Sequence, residues 1–93
     1  MLVFKKLKKF EEHKGLNLEN FHIQEYTHLF TVDEDGYVKG SSYCLGFFIS
    51  ENLANQAMNE YLQQHGGWCK TEPVFILTDG KIGFQIGNPV EIR

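Results

Sequence analysis

The sequence is poor in the features that mark secreted and membrane proteins. Two cysteines in 93 residues are far fewer than a disulfide scaffold uses. No apolar run approaches the roughly 18 residues of a spanning helix. The basic start also lacks the long apolar stretch and small-residue cleavage site of a signal peptide. These absences predict a cytoplasmic protein with no membrane contact, while pairing of Cys44 with Cys69 stays open.

Common catalytic and cofactor motifs are missing as well. The chain has no Walker loop and no dinucleotide glycine fingerprint. It lacks the Cys-x-x-Cys half of a typical zinc site. Asp33 and Asp35 precede Gly36 as in a calcium loop, but that count places Ser42 where a bidentate glutamate is required. We therefore expect no cofactor and no metal, and an enzyme is less favoured than a binding protein.

Aromatic residues, by contrast, are abundant for a chain of 10.8 kDa. Eight Phe, four Tyr and one Trp make up 14% of the residues, and the length fits one domain over residues 1–93. Charge is uneven, since residues 1–14 hold five lysines against Glu11 and Glu12, whereas the remainder is acidic. A basic arm can bind nucleic acid or a partner, but the net charge of −3 makes nucleic acid unlikely.

The first fifteen residues form a basic amphipathic segment. Phe4, Leu7 and Phe10 recur every three residues with lysines between them. This spacing predicts a short helix over residues 3–14.

A first hairpin is predicted downstream of that segment. Residues 21–32 are β-branched and aromatic, residues 33–36 have turn chemistry, and residues 43–49 form an apolar run. A register with Val32 opposite Tyr37 places Tyr26 opposite Tyr43, and the return strand is interrupted or bulged near Gly40.

The clearest element is a helix over about residues 51–65. Ser50 suits the N-cap, and Gly66 and Gly67 stop the helix. One 180° arc of the helical wheel holds its apolar side, made up of Leu53, Ala54, Ala57, Met58, Tyr61, Leu62 and His65.

A second hairpin is predicted at the end of the chain. Asp79-Gly80 suits a two-residue type I′ turn between Val74–Thr78 and Lys81–Ile86. This register pairs Phe75 with Phe84, and a short edge strand over residues 90–92 follows.

Together these elements predict an α+β fold with the order α-β-β-α-β-β. A small antiparallel sheet of about four to five strands carries the main helix on one face. Because the strands have apolar residues on both sides, the other face needs a cover, either the N-terminal segment or a dimer partner. This requirement is the reason to expect a homodimer.

Four residues around the end of the main helix are the first site candidates: Tyr61, His65, Trp68 and Cys69. His65 and Cys69 are the catalytic candidates, as a thiolate–imidazole pair. The negative end of the helix dipole nevertheless favours the neutral thiol. On paper, Cys44 and one of His22 or His28 would complete a metal set with them, although a packed histidine beside a buried cysteine is the simpler interpretation.

The first hairpin offers a second set of candidates. Its rings fall on one strand face, namely Tyr26, His28, Phe30, Tyr37 and Tyr43. Such a face can stack a base or bind a peptide, or it can simply be core or dimer interface.

The sequence therefore favours a non-catalytic protein-interaction or regulatory module that is homodimeric. The alternative is a small-molecule-binding protein or enzyme with its site near His65, Trp68 and Cys69. Candidate partner-binding residues are Tyr26, His28, Tyr43, Tyr61, His65 and Trp68.

Overall fold

A computed structural model describes residues 3–4, 18–38 and 43–87 of the chain. They form a small antiparallel sheet and one α-helix, so the α+β class is confirmed. The elements are β1 (Val3–Phe4), a 3-10 turn (Leu18–Asn20), β2 (His22–Val32), β3 (Cys44–Phe48), α1 (Glu51–His65), β4 (Trp68–Thr78) and β5 (Gly83–Gly87). In space the strands follow the order β1-β3-β2-β4-β5.

The two long strands β2 and β4 are the centre of the sheet. They pair without interruption from His22 opposite Thr78 to Val32 opposite Trp68. Because successive side chains of a strand point to opposite faces, this register assigns every residue of both strands to one of two faces. We call the face that carries α1 the helix face, and the opposite one the inner face.

The helix α1 lies where the sequence predicts it. The Ser50 hydroxyl accepts a hydrogen bond from the Leu53 amide at 3.2 Å, which satisfies one amide of the first turn. Gly66, at φ 70°, ends the helix with its N–H donating to the Leu62 carbonyl at 2.8 Å. Ala54 is completely buried and shares a core cluster with Leu29 and Phe48 on the helix face.

The inner face has a core of its own. Phe4, Tyr26, Phe47, Val74 and Ile76 form one buried cluster, and each of them is at most 7% exposed within a single chain. The rings of Phe4 and Tyr26 meet edge to face at 5.5 Å between centroids. The core cluster of the inner face is therefore already buried without a second subunit.

The two edges of the sheet approach each other across this face. Phe4 belongs to β1 at one edge, and Gly83 belongs to β5 at the other. A Cβ placed on Gly83 would nonetheless lie 3.1 Å from the Phe4 ring. The sheet is thus curved strongly enough for its first and last strands to share one core, and a Cβ at residue 83 would require Ile76 and Phe4 to shift.

The N-terminal prediction needs a correction at its first residues. Val3 and Phe4 do not begin a helix; they form a strand in which Phe4 lies opposite Phe47. Pairing and burial at this edge outweigh the local three-residue spacing. The rest of the predicted helix, and the edge strand expected over residues 90–92, lie outside the described residues.

The register predicted for the first hairpin is wrong. The return strand begins at Cys44 opposite Phe30, and Phe47 lies opposite His28. The Asp33 carboxylate explains why the strand does not resume at Tyr37. Its Oδ1 accepts hydrogen bonds from the amides of Asp35 and Tyr37, both at 2.9 Å, and this holds a longer turn.

The register predicted for the second hairpin is also wrong, by two residues. Phe84 lies opposite Leu77, not opposite Phe75, and the loop contains four residues. Asp79 again sets the turn, since its Oδ1 accepts from the amides of Lys81 and Ile82 at 2.9 and 3.1 Å.

Candidate interaction surface

Three rings of the predicted aromatic face are buried, whereas Tyr43 is half-buried and Tyr37 is exposed in the turn after β2. His28 stacks on Phe47 with 4.4 Å between centroids and 8° between planes. It also contacts the rings of Phe30 and Tyr43 at 4.9 and 6.2 Å. Tyr26, His28 and Phe30 are all under 9% exposed. Bases cannot stack on these rings in this conformation, so Tyr26 and His28 form core.

His28 is a buried histidine without a hydrogen bond in the described part of the chain. Neither of its ring nitrogens has a hydrogen-bond partner, and Nδ1 lies 3.6 Å from Glu72 Oε1. Burial lowers the pKa of His28, while the nearby Glu72 carboxylate acts in the opposite direction. Burial thus favours the neutral imidazole of His28, which suits its place among aromatic rings.

The two cysteines lie on opposite faces of the sheet. Cys44 packs against the inner-face cluster, and Cys69 packs under α1. Both are thiols, with no disulfide between them, and burial raises both thiol pKa values. A raised pKa is the opposite of what a nucleophilic thiolate needs. Within residues 3–4, 18–38 and 43–87, no cluster of His, Cys, Asp and Glu is suited to hold a metal ion.

The four candidates near the helix end do not converge on one point. Tyr61 and His65 contact each other along α1, with 4.5 Å between ring centroids. Cys69 points to the helix face, whereas Trp68 belongs to the inner-face side of β4 beside Val32. His65 is exposed on α1, whereas Cys69 is half-buried beneath the helix.

Trp68 instead belongs to an exposed apolar surface at this end of the sheet. Trp68 is 55% exposed, Tyr37 is 72% exposed and Val38 is 42% exposed. We call these three residues the aromatic tip. Trp68 is opposite Val32, the last residue before the turn that presents Tyr37. The Asp33 amide donates to the Tyr37 carbonyl at 2.8 Å, which closes the turn on itself.

A hydrogen bond from a lysine side chain links this turn to the sheet. Lys70 Nζ donates to the Gly36 carbonyl at 3.1 Å. Gly36 has φ 87°, a conformation that favours glycine, and a Cβ there would lie 2.7 Å from Lys70 Nζ. The aromatic tip is thus held by backbone and side-chain bonds on both sides of the turn.

Sequence reasoning identified Trp68 but placed Tyr37 and Val38 in a strand. The Asp33–Gly36 turn signal was present in the sequence. It did not reveal that the Asp33 carboxylate would extend the turn through Tyr37.

A separate groove of about 310 Å³ lies beside the start of α1. It is lined by Glu25, Tyr26, Thr27, Ile49, Ser50, Glu51, Thr71, Glu72 and Pro73. Three of these residues are acidic, and the lining contains no histidine, cysteine or lysine. The Ser50 hydroxyl in this lining accepts the capping hydrogen bond from the Leu53 amide.

Comparison with other proteins gives no functional guide. No protein-family model matches the chain, and no curated protein or solved structure is significantly similar to it. Among the described residues, no helix is long and apolar enough to cross a membrane. The function therefore has to be argued from the surface itself.

Proposed function

We propose that this protein is a non-catalytic interaction module that binds a partner protein through the aromatic tip. The observation that carries the proposal is the exposure of Trp68 and Tyr37 on adjoining segments, which strand pairing and backbone hydrogen bonds hold in place. Trp and Tyr are enriched among the residues that dominate binding energies, because they bury a large area with few rotatable bonds.

The expected gain from this surface is substantial. An aromatic side chain buries about 150–250 Å² when fully covered. Trp68 and Tyr37 each keep more than half of their surface exposed. Covering both removes about 200 Å² of largely apolar area from water, or about 5 kcal/mol at 25 cal/mol per Å² before the costs of association. This is enough to anchor a modest interface when flanking polar contacts add to it.

We further propose that the module is a cytoplasmic homodimer, as the sequence predicts. Its interface, however, differs from the one that the sequence predicts. Burial of the inner-face core in a single chain removes that face as the reason for dimerisation. Ile23 and Ile86, which are 62% and 51% exposed, support contact between copies at the opposite end of the sheet. Sedimentation equilibrium at high micromolar concentration tests this: a dimer is expected, and a species of 10.8 kDa contradicts it.

The partner-binding proposal is tested by comparing matched surface variants. The tip variant carries Tyr37→Ser and Trp68→Ser, and the control carries Ile49→Ser, which removes an exposed apolar side chain outside both the tip and the proposed contact between copies. Each protein is immobilised and used to capture partners from cells that naturally produce it. Circular dichroism first establishes that both variants fold.

We expect a set of proteins that wild type and the control retain and that the tip variant loses. Equal retention by the tip variant, or equal loss in both variants, contradicts the proposal.

A further inference from the structure

The charges around the aromatic tip define the kind of partner that fits it. Glu34 and Asp35 are exposed within the turn that presents Tyr37. Lys70 is the basic residue nearest in the described structure, and it is engaged with the Gly36 carbonyl. The tip therefore joins two exposed aromatic rings to two exposed carboxylates.

The other described residues also carry more negative than positive charge. Lys70 and Lys81 are the only lysines among the described residues, which contain no arginine and nine aspartates and glutamates. Lys81 belongs to the turn after β4, at the far end of that strand from Trp68. Among the described charges at the tip, the two carboxylates of Glu34 and Asp35 therefore outnumber the single ammonium group of Lys70.

We infer that the aromatic tip binds a basic peptide segment, rich in arginine, with its guanidinium groups over the rings of Trp68 and Tyr37. This inference rests on the proposed function. Guanidinium groups are favoured because they stack on aromatic faces, with Trp the strongest partner, and pair with carboxylates through parallel hydrogen bonds. Glu34 and Asp35 supply exposed carboxylates in the turn that leads to Tyr37. An acidic or phosphorylated segment would meet repulsion at the same place.

Trp68 is the chain's only tryptophan, so its fluorescence reports directly on the tip. Three synthetic peptides of equal length, without aromatic residues, are the probes: one alternates Arg with Ser, and the others carry Gln or Glu in place of Arg. We expect a saturable change in Trp68 emission with the Arg peptide. Binding should weaken at least about threefold between low and physiological salt, because exposed charges are screened.

Two charge-matched variants separate a specific site from general attraction. The first carries Glu34→Gln and Asp35→Asn, and the second carries Glu25→Gln and Glu51→Gln beside the distant groove. Both lose two negative charges from exposed positions. We expect the first to bind the Arg peptide about fivefold more weakly, as for two exposed ion pairs, and the second to stay within about twofold of wild type.

Three outcomes would overturn the inference. They are equal binding of the Arg and Gln peptides, preference for the Glu peptide, and equal weakening in both variants. Tip-dependent capture of a cellular partner combined with any of these outcomes would leave the proposed function standing and reject only the basic-peptide chemistry.

Discussion

At the scale of single residues, His28 shows how an apparent site residue becomes part of the core. Its position on an aromatic strand face suggested a ligand-binding role. The structure encloses it between Phe47 and Phe30, and neither ring nitrogen has a hydrogen-bond partner in the described part of the chain. A buried polar group without a hydrogen bond costs about 1–3 kcal/mol. What the sequence could not reveal was the register that places Phe47 directly opposite.

His28 should make the stability of the protein pH-dependent. Its pKa is lowered in the folded protein, chiefly by burial, relative to about 6.5 in the unfolded chain. The unfolded state therefore takes up protons more readily, and the stability present above about pH 6.5 is lost as the pH falls below that value. Urea unfolding at about pH 7.5 and pH 5.5 should show a smaller loss of unfolding free energy for His28→Phe than for wild type.

Glu72→Gln should change the pH dependence of stability in the opposite direction to His28→Phe. It removes the carboxylate that favours protonated His28, so its loss of stability at low pH should exceed that of wild type. The explanation fails if His28→Phe and wild type lose the same free energy over this range.

At the scale of elements, local sequence predicted the helix but not the registers of the two hairpins. The signals that set α1 lie within it or beside it: a serine cap, an apolar stripe and two glycines. Each hairpin register depends instead on one aspartate whose carboxylate bonds amides two to four residues ahead. Side-chain bonds of this kind change the loop length, and a changed loop length moves every cross-strand pair that follows.

The cap of α1 can be tested alone. Ser50→Ala removes the acceptor of the Leu53 amide and should cost about 1 kcal/mol, or a fall of about 4–8 °C in Tm for a chain of this size. Ser50→Asp keeps an acceptor and should retain most of the stability. Asn52→Ala, an exposed change in the first turn, is the control for helix propensity. If Ser50→Ala and Asn52→Ala have the same Tm, the cap contributes nothing measurable.

At the scale of the whole molecule, curling of the sheet changes the argument about oligomeric state. Apolar residues on both strand faces implied a surface that one helix could not cover. Periodicity assigns residues to faces, but it does not show that a sheet bends until Phe4 of one edge reaches Gly83 of the other. That closure depends on contacts between residues 79 positions apart, for which the sequence carries no local signal.

Closure of the sheet predicts an energetic coupling between its two edges. Gly83→Ala alone should cost about 1–3 kcal/mol, because the new methyl group would lie 2.8 Å from Ile76 Cγ2 and 3.1 Å from the Phe4 ring. Phe4→Leu alone should cost about 1 kcal/mol through lost apolar burial. In the double variant the smaller leucine leaves room for the new methyl group. The double variant should therefore lose at least about 0.5 kcal/mol less unfolding free energy than the two single variants lose together.

Gln85→Ala is the matched control for this cycle, since it changes an exposed side chain on the same strand as Gly83. Its effect should add to that of Phe4→Leu within about 0.5 kcal/mol. Urea unfolding of the six proteins, including wild type, supplies both cycles. If the effects of Gly83→Ala and Phe4→Leu are additive as well, the two edges of the sheet do not meet in solution. The inner face would then need another cover, which is the requirement from which the sequence predicts a homodimer.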